Sequence, residues 1–178
     1  MDSKLDLTIA QVVQQQINDY VHAEVLFYPV GMVNGLQMPQ LSIGLWLATA
    51  WQLQAVQPTA PALIAAQAEV RRVHQTLPEL YEGKARREFK SRLDTWSLYL
   101  DEALLGNNDT RYITQVPNRL KLELLRDDVP QNTDQLFRLT TLDAALRARL
   151  KPGKFILEPE LSKAAPPSKV WWLWGTLG

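Results

Sequence analysis

From Val25 to Ala68 the chain contains no Asp, Glu, Lys, Arg or His. This constrains the fold more than any other feature, because solvated faces normally carry charge. The block reads either as the centre of a domain or as a surface that meets a partner. The 19 basic and 19 acidic residues all lie outside it and cancel to a formal net charge of +0. That balance lacks the basic excess from which a dedicated nucleic-acid binder draws its non-specific affinity, so no nucleic-acid partner is expected. With 46% hydrophobic and 21% charged residues there is enough apolar material for a core, and 178 residues are expected to form a single helical domain.

The periodicity of the chain is helical almost throughout. Ile9, Val13, Ile17 and Tyr20 predict a helix from about Thr8 to Leu26, with Asp6 as N-cap and Tyr28-Pro29 closing it. Within Val30–Gln40, Asn34-Gly35 is the dipeptide that a two-residue hairpin turn prefers, so a minor β-hairpin is expected near residues 30–40, with Pro29 and Pro39 weakening its arms. Leu41–Val56 is apolar nearly all round, which predicts a central, buried helix. Its uncharged run is shorter than the roughly 20 residues of a membrane span, so no transmembrane segment is expected.

Leu63, Ala66, Val70, Val73 and Leu77 form a narrow seam on a helix opened by Thr59 and Pro61. Pro78 and Gly83 interrupt the pattern before Ala85, Phe89, Leu93, Trp96, Leu100 and Leu104 resume it, as a helical hairpin or one kinked helix. The loop Gly106–Arg111 is a stop. Pro117 opens a further helix through Leu125, over a stretch whose Leu120–Leu124 also alternates as a strand would. Asn132 with Gln135 imitates a capping box, and Leu136, Leu139, Leu142, Leu146 and Leu150 stripe the last helix, ended by Pro152-Gly153. Ala164-Ala165-Pro166-Pro167 reads as a short linker before an apolar, Trp-rich C-terminus that has to dock.

Little in the chain points to catalysis. There is no cysteine, hence no disulfide framework, Cys-ligated metal or cysteine nucleophile. His22 and His74 lack the spacing to carboxylates that a ferritin-like metal site needs, and each reads as a surface or hydrogen-bonded structural residue. No metal and no cofactor are expected. The pairs Glu79/Glu82, Asp101/Glu102 and Asp127/Asp128 make no persuasive acid–base dyad, and no serine sits in a Gly-x-Ser-x-Gly elbow. No catalytic residue is assigned. Lys84, Arg86, Arg87, Lys90 and Arg92, interleaved with Glu82 and Glu88, read as a solvated helix face.

Six tryptophans are the unusual resource. Trp46, Trp51 and Trp96 suit a core, and Trp171, Trp172 and Trp174 suit a cap on an open end of the bundle. A sharper reading has the tail anchor on another subunit, or line a pocket with the neutral Gly31–Gln40 loop. The expected fold is an all-α, single-domain bundle of about five helices, its irregular Trp-rich C-terminal segment 151–178 wrapping the bundle. The expected function is a non-enzymatic interaction or assembly module acting through self-association or a protein partner, with Trp46, Trp51, Trp171, Trp172 and Trp174 as binding residues. The alternative is a small-molecule-binding protein or motif-less enzyme whose pocket is lined by Tyr20, Gln37, Tyr81, Tyr99 and Arg119. Met1–Leu7 alternates charged and apolar residues with no apolar signal core, so a cytoplasmic location is expected.

Overall fold

A computed structural model of the chain describes residues 3–106 and 111–177. The chain is all-α with two small antiparallel strand pairs: α1 (Ser3–His22), β1 (Met32–Val33), β2 (Leu36–Gln37), α2 (Ile43–Val56), α3 (Pro61–Thr76), α4 (Pro78–Ala103), α5 (Tyr112–Asp128), α6 (Thr133–Arg149), β3 (Leu150–Pro152) and β4 (Gly175–Leu177). Six long helices are thus described where about five were expected. Internal contacts divide the chain into two compact units, Met1–Glu88 and Phe89–Gly178, and the division falls inside α4. No helix among the described residues is long and apolar enough to cross a membrane.

In the first unit α1 packs on α3 and α2. The seam is the apolar stripe the sequence predicts, with Val13, Ile17 and Tyr20 of α1 and Leu63, Ala66 and Val73 of α3 fully buried. Helix α1 begins at Ser3, so Asp6 lies in its first turn and not at the N-cap. A carboxylate there still suits the positive end of the helix dipole. The hairpin forms where Asn34-Gly35 places it: Met32 pairs with Gln37 and Val33 with Leu36, and Asn34 and Gly35 take φ of 50° and 77°. Positive φ at both turn residues matches the strand twist, which is why this dipeptide is favoured.

The charge-free block splits into two environments. Ile43, Gly44, Trp46, Thr49 and Leu53 bury one face of α2, yet Leu47, Ala48 and Trp51 remain half-buried. The hairpin segment lies on the surface, with Val25 and Met32 48% and 62% exposed. Neutrality therefore marks core in α2 and apolar surface in residues 25–40. Helix α4 starts at Pro78, a position where its missing N–H is not needed, and runs straight through Gly83. One helical glycine costs only about 1 kcal/mol, too little to end a helix held by buried Tyr81 and Ala85.

In the second unit Phe89, Leu93, Trp96 and Leu100 of α4 are buried as their spacing predicts. Residues 107–110 of the expected Gly106–Arg111 loop lie outside the described residues. Helix α5 starts at Tyr112, so Pro117 sits within it and not at its opening. Its ring cannot donate to the Ile113 carbonyl, a loss confined to the second turn. The alternating Leu120–Leu124 stretch is helical. Asn132 caps α6, its side chain accepting from the Asp134 and Gln135 amides. Beyond Arg149 the chain enters β3, whose Leu150, Lys151 and Pro152 pair with Leu177, Thr176 and Gly175 of β4. The C-terminal segment packs on α5 through β4. The Ala-Pro stretch is a docked turn and not an extended linker: Ala165 is buried, and the Lys169 and Val170 amides bond back to the Pro166 carbonyl.

Candidate functional site

The C-terminal tryptophans are positioned by a buried polar cluster on α5 and α6. Arg119, 1% exposed, donates through Nε and Nη2 to both oxygens of Asp143 at 2.8 and 2.7 Å, and its Nη2 lies 3.0 Å from Glu123. The central carbon of this guanidinium, Cζ, lies over the Trp172 ring, 3.9 Å from its centre. Tyr112 donates its hydroxyl to the Trp172 carbonyl at 2.7 Å, and burial, with the neighbouring Tyr99 and Asp143, pushes its phenol far above the ordinary tyrosine range. One tail residue is thereby held by a cation–π stack and a backbone hydrogen bond at once. A planar, permanently charged guanidinium can fork onto a carboxylate and stack on an indole together, which an ammonium cannot.

With Trp172 anchored inward, Trp171 and Trp174 are half-buried and line an open cleft of about 390 Å³ together with Arg147, Leu150, Pro152, Gly153 and Pro167. The Trp174 indole N–H donates to the Ala165 carbonyl at 2.7 Å, and its ring meets Phe155 at 5.0 Å. Trp171 packs edge-on to Trp172 at 5.6 Å and carries the Arg147 guanidinium 4.4 Å above its ring. Beside the cleft, the pairing of β4 with β3 needs a glycine at Gly175, where an added Cβ would clash with the Lys151 carbonyl. The walls are fixed by hydrogen bonds, ring contacts and prolines, so little side-chain freedom would be lost on binding. A volume of this size suits a peptide segment or a small ligand.

The expected binding tryptophans fall into two groups. Trp171 and Trp174 meet in the cleft and Trp172 is its buried anchor; Trp46 and Trp51 stand on α2 of the other unit, one buried and one half-buried. The residues expected around a polar-lined pocket are divided between the two units. Tyr20 bonds to the Leu26 carbonyl, Tyr81 stacks on His74 at 4.2 Å, Gln37 is exposed on the hairpin, and Tyr99 and Arg119 are buried in the second unit. His22 Nδ1 donates to the Asn18 carbonyl, and His74 lies 3.6 Å from Glu82. Among the described residues no group of three His, Asp or Glu side chains is placed to hold a metal ion.

Two buried charges were missed, because Lys84 and Glu88 looked like members of a solvated run. Both are buried, at 1% and 0% exposure. The Lys84 ammonium donates to the carbonyls of Ala23, at 2.6 Å, and Val25, and sits 4.7 Å from the centre of the Tyr20 ring. It thus closes the C-terminal end of α1, where unsatisfied carbonyls favour a cation. Glu88 accepts from the Ser42 hydroxyl at 2.7 Å and the Gly44 amide at 2.9 Å, while Ser42 accepts from the Leu45 amide as the N-cap of α2. One turn of α4 therefore serves the ends of two helices, with charges matched to their dipoles. Burial holds the Lys84 ammonium below the ordinary lysine range, and the Arg87 charge adds to the effect.

Fold and cleft define an all-α protein whose C-terminal segment builds a Trp-lined groove. Compared with known protein families, with curated proteins and with solved structures, the chain matches none.

Proposed function

We propose that the protein is a non-enzymatic helical interaction module of the cytoplasm, whose contact site is the Trp171–Trp174 cleft and whose partner is a segment of another protein or of a second copy of this chain. The observation that carries this reading is the division of labour among neighbouring tryptophans: Trp172 is buried as an anchor, while Trp171 and Trp174 keep ring surface open on a cleft built of prolines and an arginine. Aromatic and Arg side chains in a water-accessible groove are the residue types that concentrate binding energy at interfaces. The exposed, uncharged hairpin of residues 25–40 offers a further apolar contact surface in the first unit.

The test is a displayed-peptide selection on the full chain, counter-screened with the Trp171→Ala/Trp174→Ala double variant. Peptides that bind the parent and lose the variant are expected. Selection that yields none, from a variant whose unfolding matches the parent, would overturn the cleft as a contact site.

A further inference from the structure

We propose that the cleft takes an acidic, apolar peptide segment of a partner protein in extended form, with a carboxylate of that segment on Arg147. This rests on the reading of the cleft as a contact site and adds the chemistry of its occupant. Arg147 is the one charged side chain lining the cleft. It is exposed, and no carboxylate among the described residues pairs with it. Arg126 and Arg138, by contrast, each have an acidic partner. Contact with the Trp171 ring holds the Arg147 guanidinium at the cleft wall and leaves its N–H groups as donors for an incoming acceptor. A guanidinium held in this way matches the two oxygens of a carboxylate.

The surroundings carry the same sign. Lys151 of β3 and Lys154 just beyond it are exposed and also lack a carboxylate partner among the described residues. From Arg147 to the end of the chain the basic residues are Arg147, Arg149, Lys151, Lys154, Lys163 and Lys169, against Glu158 and Glu160. In a chain that is neutral overall, the segment that builds the Trp-lined cleft thus carries a net positive charge, which favours encounter with an acidic partner. The remaining lining, Leu150, Pro152, Pro167, Trp171 and Trp174, selects apolar side chains between the acidic ones. The cleft is open, so a peptide segment can run through it.

The experiment is a fluorescence-anisotropy titration of the full chain with three labelled ten-residue peptides. They share Leu, Phe and Pro at alternate positions and differ only in carrying Glu, Gln or Lys between them. The Glu peptide is expected to bind at least about tenfold more tightly than the Gln peptide, with the Lys peptide weakest. Arg147→Gln should remove most of that preference, and Arg147→Glu should invert it in favour of the Lys peptide, an outcome a merely structural role for Arg147 would not produce. Equal binding of all three peptides, lost in Trp171→Ala/Trp174→Ala, would overturn the carboxylate pairing and leave the contact site standing. No Trp-dependent binding by any of them would overturn both.

Discussion

Replacing Glu88 by Ala tests whether α4 caps α2. The parent carboxylate is fully buried and accepts from the Ser42 hydroxyl and the Gly44 amide at 2.7 and 2.9 Å. Each hydrogen bond to a charged group contributes about 1.5–3 kcal/mol, and removal leaves the Gly44 amide without that buried acceptor. The negative charge at the positive end of α2 adds roughly 0.3–1 kcal/mol. Glu88→Ala should therefore cost about 3–7 kcal/mol. At 178 residues that corresponds to a fall in melting temperature of roughly 6–28 °C. Glu88→Gln keeps one acceptor oxygen and should cost about half as much. Ser42→Ala loses the N-cap, worth about 1 kcal/mol, together with one donor to Glu88. The two sites share partners, so the double variant should fall short of the sum by about 1–2 kcal/mol. Denaturant midpoints followed by far-ultraviolet circular dichroism read all four values. Glu88→Ala within about 0.5 kcal/mol of the parent, or strict additivity with Ser42→Ala, would refute the capping argument.

Three other outcomes follow from the same contacts. Burial lowers Lys84 from the ordinary lysine value of 10.5, so the unfolded chain holds the extra proton between the folded value and 10.5, and stability rises with pH across that window. Lys84→Met lacks this gain, and the difference in denaturant midpoint between parent and variant should change as the pH rises towards 10.5; a constant difference would contradict the assignment to burial. Tyr112→Phe should cost about 1–2 kcal/mol by stranding the Trp172 carbonyl. It should also leave the phenol absorbance titration unchanged up to about pH 11, because Tyr112 ionises above the ordinary range; a phenol lost from that titration would contradict its burial. Truncation after Ala165 removes the buried Val170, Trp172, Leu173 and Leu177. At about 1.5–3 kcal/mol per buried side chain this approaches the whole stability of a domain. The truncated chain should bind a hydrophobic dye and lose cooperative unfolding of residues 89–165, and unchanged melting would show that the tail is not docked.

The helices were legible because their signals are local. Val13, Ile17 and Tyr20, or Leu93, Trp96 and Leu100, repeat at helical spacing whatever surrounds them, and Asn34-Gly35 dictates its own turn. Helix ends were less legible. Pro117 satisfies the rule for a helix start, yet the chain is already helical from Tyr112, whose buried ring and hydroxyl bond to Trp172 reward the extra turn. That reward comes from residues far along the chain and has no local mark. The cleft was half legible: an apolar C-terminus with three tryptophans has to dock, but which ring turns inward depends on Arg119 lying under Trp172.

Neutrality and charge misled in complementary ways. The charge-free block fits a core or a contact surface, and it divides between the buried face of α2 and the largely exposed hairpin segment; the charged run fits a solvated face, yet Lys84 and Glu88 within it are buried. The common reason is that charge reports whether a group is solvated or paired, and pairing can be with the backbone. Lys84 and Glu88 are four apart on α4 and so look like any helix-surface ion pair. Their partners are instead the carbonyls that end α1 and the amide and hydroxyl that begin α2. Helix ends are the places in an all-α fold where unsatisfied backbone groups carry partial charge. In such a chain a Lys and a Glu one turn apart, flanked on the same stripe by Tyr81, Ala85 and Phe89, signal that the helix passes the opposite ends of two others. The apolar stripe that contains the charges is the mark that separates buried caps from a solvated face.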